Sequence, residues 1–365
     1  MENTKKYILA ICKDPGDANG VIPVARRLWR KRKVVLIASG KAETILRNRK
    51  IKYKKYAFAD RVLKDYPRPL ALVTGMSSKG GVGRDLIPLM RKKFGTSCPP
   101  IVALQDFWGS YLATDWKNER YRPDYIVVND KIGAEVVTRV WKDFDKNRVK
   151  IFGYPNLDRF YGLNMKRIRQ TARKKLNLTQ KWPVVFFGGQ LKYSVHALEE
   201  LIAVLNRIGR PVYLIVRQHL RMKDDDAEEL KDWKKALKKF KNGKLILTPQ
   251  FIDSGLLIAV ADVAVSMFSA VLVEAAALQK ACVAISYKNY GLKRLKEITK
   301  GALLNFPLVA FKACAQASNR KQLESLVKEA LSGRLEKKLK TGQKRHLKSD
   351  GKNAQRVADF VLSLI

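Results

Sequence analysis

Histidine is scarce in this chain. Only His196, His219 and His346 occur among 365 residues, so a histidine-rich metal site is not expected. Cysteine is scarce as well. Cys12, Cys98, Cys282 and Cys314 show no metal-ligand spacing, and each sits in or beside an apolar stretch. That pattern suits buried, reduced thiols better than a disulfide framework. Acid is short: 33 Asp and Glu face 73 Lys and Arg, for a formal charge of +40. A field of that size draws in phosphates, anionic lipid or nucleic acid in a salt-dependent way. A basic background spread over solvated faces accounts for the number equally well, and neither reading bears on the fold. No secretory leader is expected, because Met1 to Lys6 is polar and runs straight into a strand; the reduced thiols point to a cytoplasmic protein. One apolar run, Leu256 to Leu278, is long enough to span a bilayer. It holds Asp262 and Glu274, with Ser266 and Ser269 between them, and carboxylates are costly in lipid. A buried helix, short strand, turn and second helix explain it better.

Apolar residues supply 46% of the chain, and its length suits two domains, each with a core of its own. Short apolar strands alternate with amphipathic helices, the mark of parallel sheets covered on both faces. Strands are predicted at Tyr7–Cys12, Val34–Ala38, Leu70–Thr74, Ile101–Leu104, Tyr125–Val128 and Val149–Phe152, with a helix over Val21–Lys31. The polar, basic stretch from Tyr161 to Lys181 breaks the alternation. A second series follows at Val184–Phe187, Val212–Val216, Leu245–Leu247, Val263–Val265 and Cys282–Ile285. The predicted organisation is a first domain over 1–165, a linker over 166–181 and a second domain over 182–345. Residues 346–365 end in an amphipathic helix expected to pack back on the first domain.

In open parallel sheets ligands sit beyond the carboxyl ends of the strands, so the loops there carry the chemistry. Asp14-Pro15-Gly16-Asp17-Ala18-Asn19-Gly20 reads as a glycine-bearing turn whose Asp17 is a candidate base, or equally a plain strand-to-helix turn. Gly75-Met76-Ser77-Ser78-Lys79-Gly80-Gly81-Val82-Gly83 lacks the ending of a Walker loop; it reads as a surface loop, with a phosphate cradle or a cover over the acceptor as the alternative. Asp106, at a strand end between Gln105 and the aromatics Phe107 and Trp108, is a candidate proton acceptor whose pKa desolvation would raise. The aromatics are candidates to stack on a sugar, or core residues beside a cap. In the second half, Gly188-Gly189-Gln190 precedes a helix starting near Ser194, where a diphosphate would meet bare backbone. Arg217 and His219, two apart in an extended segment, point to one face and reach for one phosphate. Ser269 is placed to cap a helix whose first amides face a phosphate. Glu274, inside that apolar helix, needs a partner; ribose hydroxyls supply two donors, and an internal ion pair is the alternative.

These residues resemble those of the glycosyltransferase-B superfamily. Ser269 through Glu274-Ala275 looks like the donor-binding Ser-x-x-x-x-Glu turn and helix of that superfamily and of UDP-N-acetylglucosamine 2-epimerases. Arg217-Gln218-His219 is similar to the Arg-x-His strand end of CDP-glycerol glycerophosphotransferases. Gly153-Tyr154-Pro155-Asn156-Leu157-Asp158 resembles the Gly-x-Pro-x-x-Asp junction of the epimerases and of lipid A disaccharide synthases, and Gly16-Asp17-Ala18-Asn19-Gly20 the first loop of the latter. Where the epimerases carry His-x-Glu-Ala-Gly, this chain reads Leu104-Gln105-Asp106-Phe107-Trp108. The resemblance implies an α/β fold of two Rossmann-like, doubly wound parallel-sheet domains facing a cleft. It implies that Ser269 holds phosphate, Glu274 the ribose, and Gln250-Phe251-Ile252 the base.

The expected function is transfer of a sugar or related group from a nucleotide diphosphate donor, UDP- or CDP-linked, to an acceptor hydroxyl, with Asp106 or Asp17 as base. No metal or other cofactor is expected. A nucleotide-sugar 2-epimerase with the same donor site is the first alternative. The second is a nucleic-acid or anionic-surface binder, motivated by Arg26, Arg27, Trp29, Arg30 and Lys31 and by the basic cluster from Lys337 to Lys348. Of these surfaces a membrane, with a lipid-linked acceptor and a peripheral place on its inner face, is favoured over nucleic acid.

Overall fold

A computed structural model of the protein describes residues 6–76, 80–109, 112, 116, 118–249 and 252–365. The chain forms two compact units, one of Met1–Tyr161, Ile298–Ala302 and Lys348–Ile365, the other of Gly162–Glu297 and Leu303–Leu347. The first holds a seven-stranded parallel sheet: β1 (Tyr7–Cys12), β2 (Lys33–Ala38), β3 (Lys54–Lys55), β4 (Ala71–Gly75), β5 (Ile101–Leu104), β6 (Tyr125–Val128) and β7 (Val149–Ile151). Its order is β3-β2-β1-β4-β5-β6-β7. The second holds β8 (Val184–Gly188), β9 (Val212–Arg217), β10 (Gly243–Leu247), β11 (Val263–Ser266), β12 (Ala281–Ile285) and β13 (Ala315–Ala317), in the order β10-β9-β8-β11-β12-β13. The unbroken apolar runs of β1 and β8 follow from this, since a strand covered by helices on both faces has no polar side. Both sheets reverse direction of growth at one point, between β1 and β4 and between β8 and β11. Ligands of doubly wound sheets bind at such a reversal.

The structure redraws several sequence boundaries. Asp14–Gly20, expected as a turn, is helical from Pro15, and that helix ends at Leu28 rather than Lys31. Proline suits a first helical position because its missing N–H has no helical partner to lose. The glycines suggested a loop, but they serve close packing instead. The stretch expected as a linker carries the helix Met165–Lys175, which packs on the helix Ser254–Val260 of the second unit. Arg169 there pairs with Asp262 at 2.8 Å. The apolar run from Leu256 resolves into that second helix, β11 and the helix Ala270–Ala277. Among the described residues no helix is long and apolar enough to cross a membrane. Cys12, Cys282 and Cys314 are buried free thiols, whereas Cys98 is only half-buried.

The chain returns to its first unit at the end. The helix Asn353–Ser363 sets Ala354, Val357, Ala358 and Val361 into the core that also holds Ile8, Ala10 and Val21. Asp158 anchors its start, with Oδ1 accepting from the Asn353 amide at 2.9 Å and Oδ2 from the Ala354 amide at 2.8 Å.

Candidate active site

The reversal point of the second sheet is tied together by side chains. Ser266, the last residue of β11, donates its hydroxyl to the Gly188 carbonyl at 2.7 Å. Gln190 reaches from the β8 loop to the backbone of Phe268, donating to its carbonyl at 2.7 Å and accepting from its amide at 3.1 Å. Gln190 was expected to meet the nucleotide, but its amide is engaged in bracing two loops. The start of the helix Ser194–Arg207 is likewise taken. Glu229 accepts from the Ser194 hydroxyl at 2.7 Å and from the Val195 amide at 2.9 Å. A carboxylate therefore sits where bare backbone was expected to receive a diphosphate. Burial raises the Glu229 carboxyl above its ordinary range against the pull of Ser194. Gly189 lies directly against the buried ring of Trp233, which leaves no room there for a Cβ.

The helix start after β11 carries a serine cap. Ser269 is in extended conformation, and its hydroxyl accepts from the Val271 amide at 3.3 Å, capping the helix Ala270–Ala277. Glu274 is buried four residues inside. Its Oε2 accepts from the Ser254 hydroxyl at 2.6 Å. Ser254 opens the neighbouring helix, with Asp253 as cap. Nothing in the spacing of Ser254 and Glu274, twenty residues apart, announces this pair. Arg217 ends β9, and its carbonyl accepts from the Gly189 amide at 2.8 Å. His219, half-buried, accepts the Arg221 amide on Nδ1 at 3.2 Å. A neutral imidazole accepting at Nδ1 carries its proton on Nε2, so that N–H is the one able to donate. Gln250 and Phe251, expected near the base, lie outside the described residues.

In the first unit, Asp17 and Asp106 sit beyond the ends of β1 and β5. Asp17 is 4% exposed. Its Oδ2 accepts from the Lys13 and Asp14 amides, each at 3.2 Å. Burial, then the nearby Asp14 and Asp106 carboxylates, hold its carboxyl well above the usual range. Gly75 at the end of β4 lies so close to Asp17 that a Cβ would fall inside its side chain. Asp17 therefore fastens the helix start to the sheet. Asp106 remains partly accessible. The Tyr154 hydroxyl donates to its Oδ1 at 3.3 Å, and its carboxylate occupies the space a Cβ on Gly16 would need. Burial and the Asp14 charge push its pKa up to about 6, against the Tyr154 hydrogen bond. Trp108 is not free to stack on a sugar: it is buried, and its indole N–H donates to Asp130 at 2.8 Å. Among the described residues no three His, Cys, Asp or Glu side chains are set to hold a metal ion.

A family model, CDP-Glycerol:Poly(glycerophosphate) glycerophosphotransferase, matches residues 102–363. The chain belongs to this family. The match takes in Asp106, Arg217, His219, Ser269 and Glu274 but begins after Asp17. No curated protein matches the chain by sequence. The fold is similar to that of UDP-GlcNAc 2-epimerase from Neisseria meningitidis, solved with UDP-GlcNAc bound, with TM-score 0.68 and 13% identity over 98% of this chain and 100% of that one. It is similar to the wall teichoic acid polymerase TagF, with TM-score 0.63 and 13% identity over 99% and 89%. Acinetobacter baumannii MurG gives TM-score 0.62 and 12% identity over 98% and 99%. The glycerophosphotransferase-family chain is thus a transferase of GT-B architecture.

Proposed function

We propose that this glycerophosphotransferase-family protein moves a group activated on a nucleoside diphosphate, with a CDP-glycerol-type compound as first candidate donor, to an acceptor hydroxyl. The observation that carries the reading is the Ser269-capped helix at the reversal of the second sheet, with a buried glutamate four residues behind the first amides. In this reading those amides, Arg217 and the Nε2–H of His219 meet the diphosphate. Glu274 exchanges its Ser254 hydrogen bond for the ribose hydroxyls, so its burial is matched by donors in both states. For a glycerophosphoryl donor, the acceptor oxygen forms a bond to the outer phosphorus while the bond from that phosphorus to the bridging oxygen breaks, releasing CMP. Charge gathers on the leaving phosphate, where fixed N–H dipoles and a guanidinium stabilise it most. Asp106, partly accessible and with its pKa pushed up to about 6, takes the acceptor proton; Asp17, committed to backbone amides, does not. The chemistry asks for no metal.

A TagF structure was solved after a soak with CDPG and MnaA of S. aureus with UDP, so both bases belong in the test. Purified protein, kept in EDTA, is titrated by thermal shift with CDP-glycerol, CDP and UDP-GlcNAc. A donor bound only by the folded state raises Tm. Glu274→Gln, which keeps the shape and weakens the acceptor, is expected to lose about 2 kcal/mol of donor binding, a rise in Kd of about thirtyfold. An unchanged Kd in that variant sinks the ribose assignment. Turnover of UDP-GlcNAc without acceptor would replace the transferase reading by the epimerase one.

A further inference from the structure

A cavity of about 270 Å³ opens on the second unit, between the start of the helix Ser194–Arg207 and the turn after β12. Tyr193, His196, Glu199 and Glu200 line it from the helix side, Asn289 and Tyr290 from the turn. None of the residues assigned above to the donor lies in its wall.

Three features of this wall occur nowhere else among the described residues. The first is a hydroxyl. Four tyrosines are buried. Tyr121 accepts from Arg120, Tyr154 donates to Asp106 at 3.3 Å, and Tyr213 accepts from the Gln180 amide at 2.9 Å. Tyr290, 5% exposed, has a hydroxyl with no hydrogen-bond partner. Burial, and after it the nearby Tyr287 and Glu200, holds its pKa above the ordinary tyrosine value, so the hydroxyl stands close to a carboxylate of the same wall. The second feature is the turn that carries it. Lys288–Leu292 is a π-helical turn, a form that recurs as single turns at functional sites. Gly291 lets this turn press on the end of β12, since a Cβ there would meet the Ile285 carbonyl. The third feature is in the facing wall. Lys192 and Tyr193 are successive left-handed non-glycine residues, with φ of 62° and 64°, a conformation that strains a bulky side chain.

An unbonded buried hydroxyl and strained backbone both subtract from stability. Tyr290→Phe would fill the same space without the first cost, whereas a bound molecule that bonds the hydroxyl removes it. The wall also defines the class of molecule. Glu199 pairs with Lys239 and Glu200 with Arg320, each at 2.7 Å, so neither carboxylate offers an uncompensated charge to an ion. Each keeps lone pairs that accept from hydroxyls, and the His196 imidazole and Asn289 amide supply donors and acceptors. The rings of His196 and Tyr287 lie 5.7 Å and 5.2 Å from that of Tyr290, and aromatic faces pack on C–H groups. Hydroxyls set around C–H faces are the chemistry of a sugar ring or a short alditol. The volume lies just under that of common ligand pockets, enough for one such unit.

We propose that this cavity binds a neutral polyol, one sugar ring or a short alditol, with the Tyr290 hydroxyl among the bonding groups. The site is separate from the donor site, and its fate does not bear on the roles given to Ser269 and Glu274. Saturation-transfer NMR on the full chain tests it with methyl α-D-glucopyranoside, D-glucitol and, as an organic cation, choline. The variants are Tyr290→Phe, His196→Ala at the exposed rim, and Tyr161→Phe, which removes a phenol from the other unit.

The wild type is expected to bind at least one of the two polyols, with Kd in about the millimolar range, and to leave choline unbound. Tyr290→Phe weakens that binding about fivefold or more while Tm holds or rises, because the cost of the unbonded hydroxyl is gone. His196→Ala weakens it about threefold or more through the lost ring contact, and Tyr161→Phe leaves it unchanged. A Tyr290→Phe protein that binds as tightly as the wild type, or whose Tm falls by about 2 °C or more, would show a structural hydroxyl and overturn the proposal. Choline bound in place of the polyols, or no transfer to any of the three, overturns it as well. If Tyr290→Phe does not fold, His196→Ala decides, and an unchanged Kd there overturns the site.

Discussion

At the scale of single residues, Asp106 and Asp17 differ in what they are bound to. Both carboxyls are raised by burial, but Asp17 holds two backbone amides while Asp106 holds one phenol and keeps an accessible side. A base with its pKa near 6 is mostly ionised at pH 7 and still basic enough to take a proton. kcat/KM is expected to rise through about pH 6 with unit slope and then level. The Tyr154 hydrogen bond favours the charged form, so Tyr154→Phe moves that limb to higher pH. The same shift works against stability. Between its ordinary value and about 6 the folded state binds the extra proton, so stability falls as pH rises through that window and stays lower above it. With a discount for partial exposure the cost is on the order of 1–2 kcal/mol at neutral pH. Asp106→Asn is therefore expected to raise Tm by about 2–4 °C while turnover drops about 10²–10⁴-fold. A variant that loses Tm and keeps its rate would show a structural carboxylate.

The residue scale is also where the sequence is least legible. Ser269 is readable as a cap because a serine before an apolar run signals a helix start. The partners of Glu274, Gln190 and Ser194 are not, since Ser254, Phe268 and Glu229 lie on other elements brought close only by the crossovers of the sheet. Glu274 invites a search for donors, and the Ser254 hydroxyl supplies one to its Oε2. Trp108, beside Phe107 just past a strand end, suggested a stacking platform; its indole N–H donating to Asp130 makes it core.

At the scale of elements, period and composition reveal most strands, and the misses have causes. β3 is two exposed lysines and β13 an Ala-Gln-Ala, so neither carries an apolar signal. Asp14–Gly20 misleads in the opposite sense, because its glycines answer to tertiary contacts. Gly75 shows the requirement most plainly: β4 and the first helix approach until Asp17 fills the space above it. Gly75→Ala forces the helix start off the sheet, a packing penalty of about 1–3 kcal/mol in urea unfolding. Gly209→Ala, where nothing lies within 4 Å, is expected to stay within about 0.5 kcal/mol. Equal effects at the two positions would mean that the helix start gives way without cost.

At the scale of the whole molecule, the chain builds one sheet, leaves to build a second, and comes back to close the first with its last helix. The alternation of strands and helices makes two doubly wound sheets readable from sequence. The return rests on three-dimensional complementarity that no local pattern encodes: Asp158 meeting two amides almost two hundred residues later, and Asn353 filling the space beside Gly153. The consequence is that the first unit is incomplete until the chain ends. Ala354, Val357, Ala358 and Val361 together bury apolar surface on the order of 5 kcal/mol, comparable with the whole net stability of a small domain. A chain ending at Leu347 is therefore expected to lose hydrogen-exchange protection across β1 to β7 while β8 to β13, whose core lacks the helix, keep theirs. Full protection of β1 and β4 in the shortened chain would show that the first sheet folds before its closing helix is made, and that the helix covers a core already stable without it.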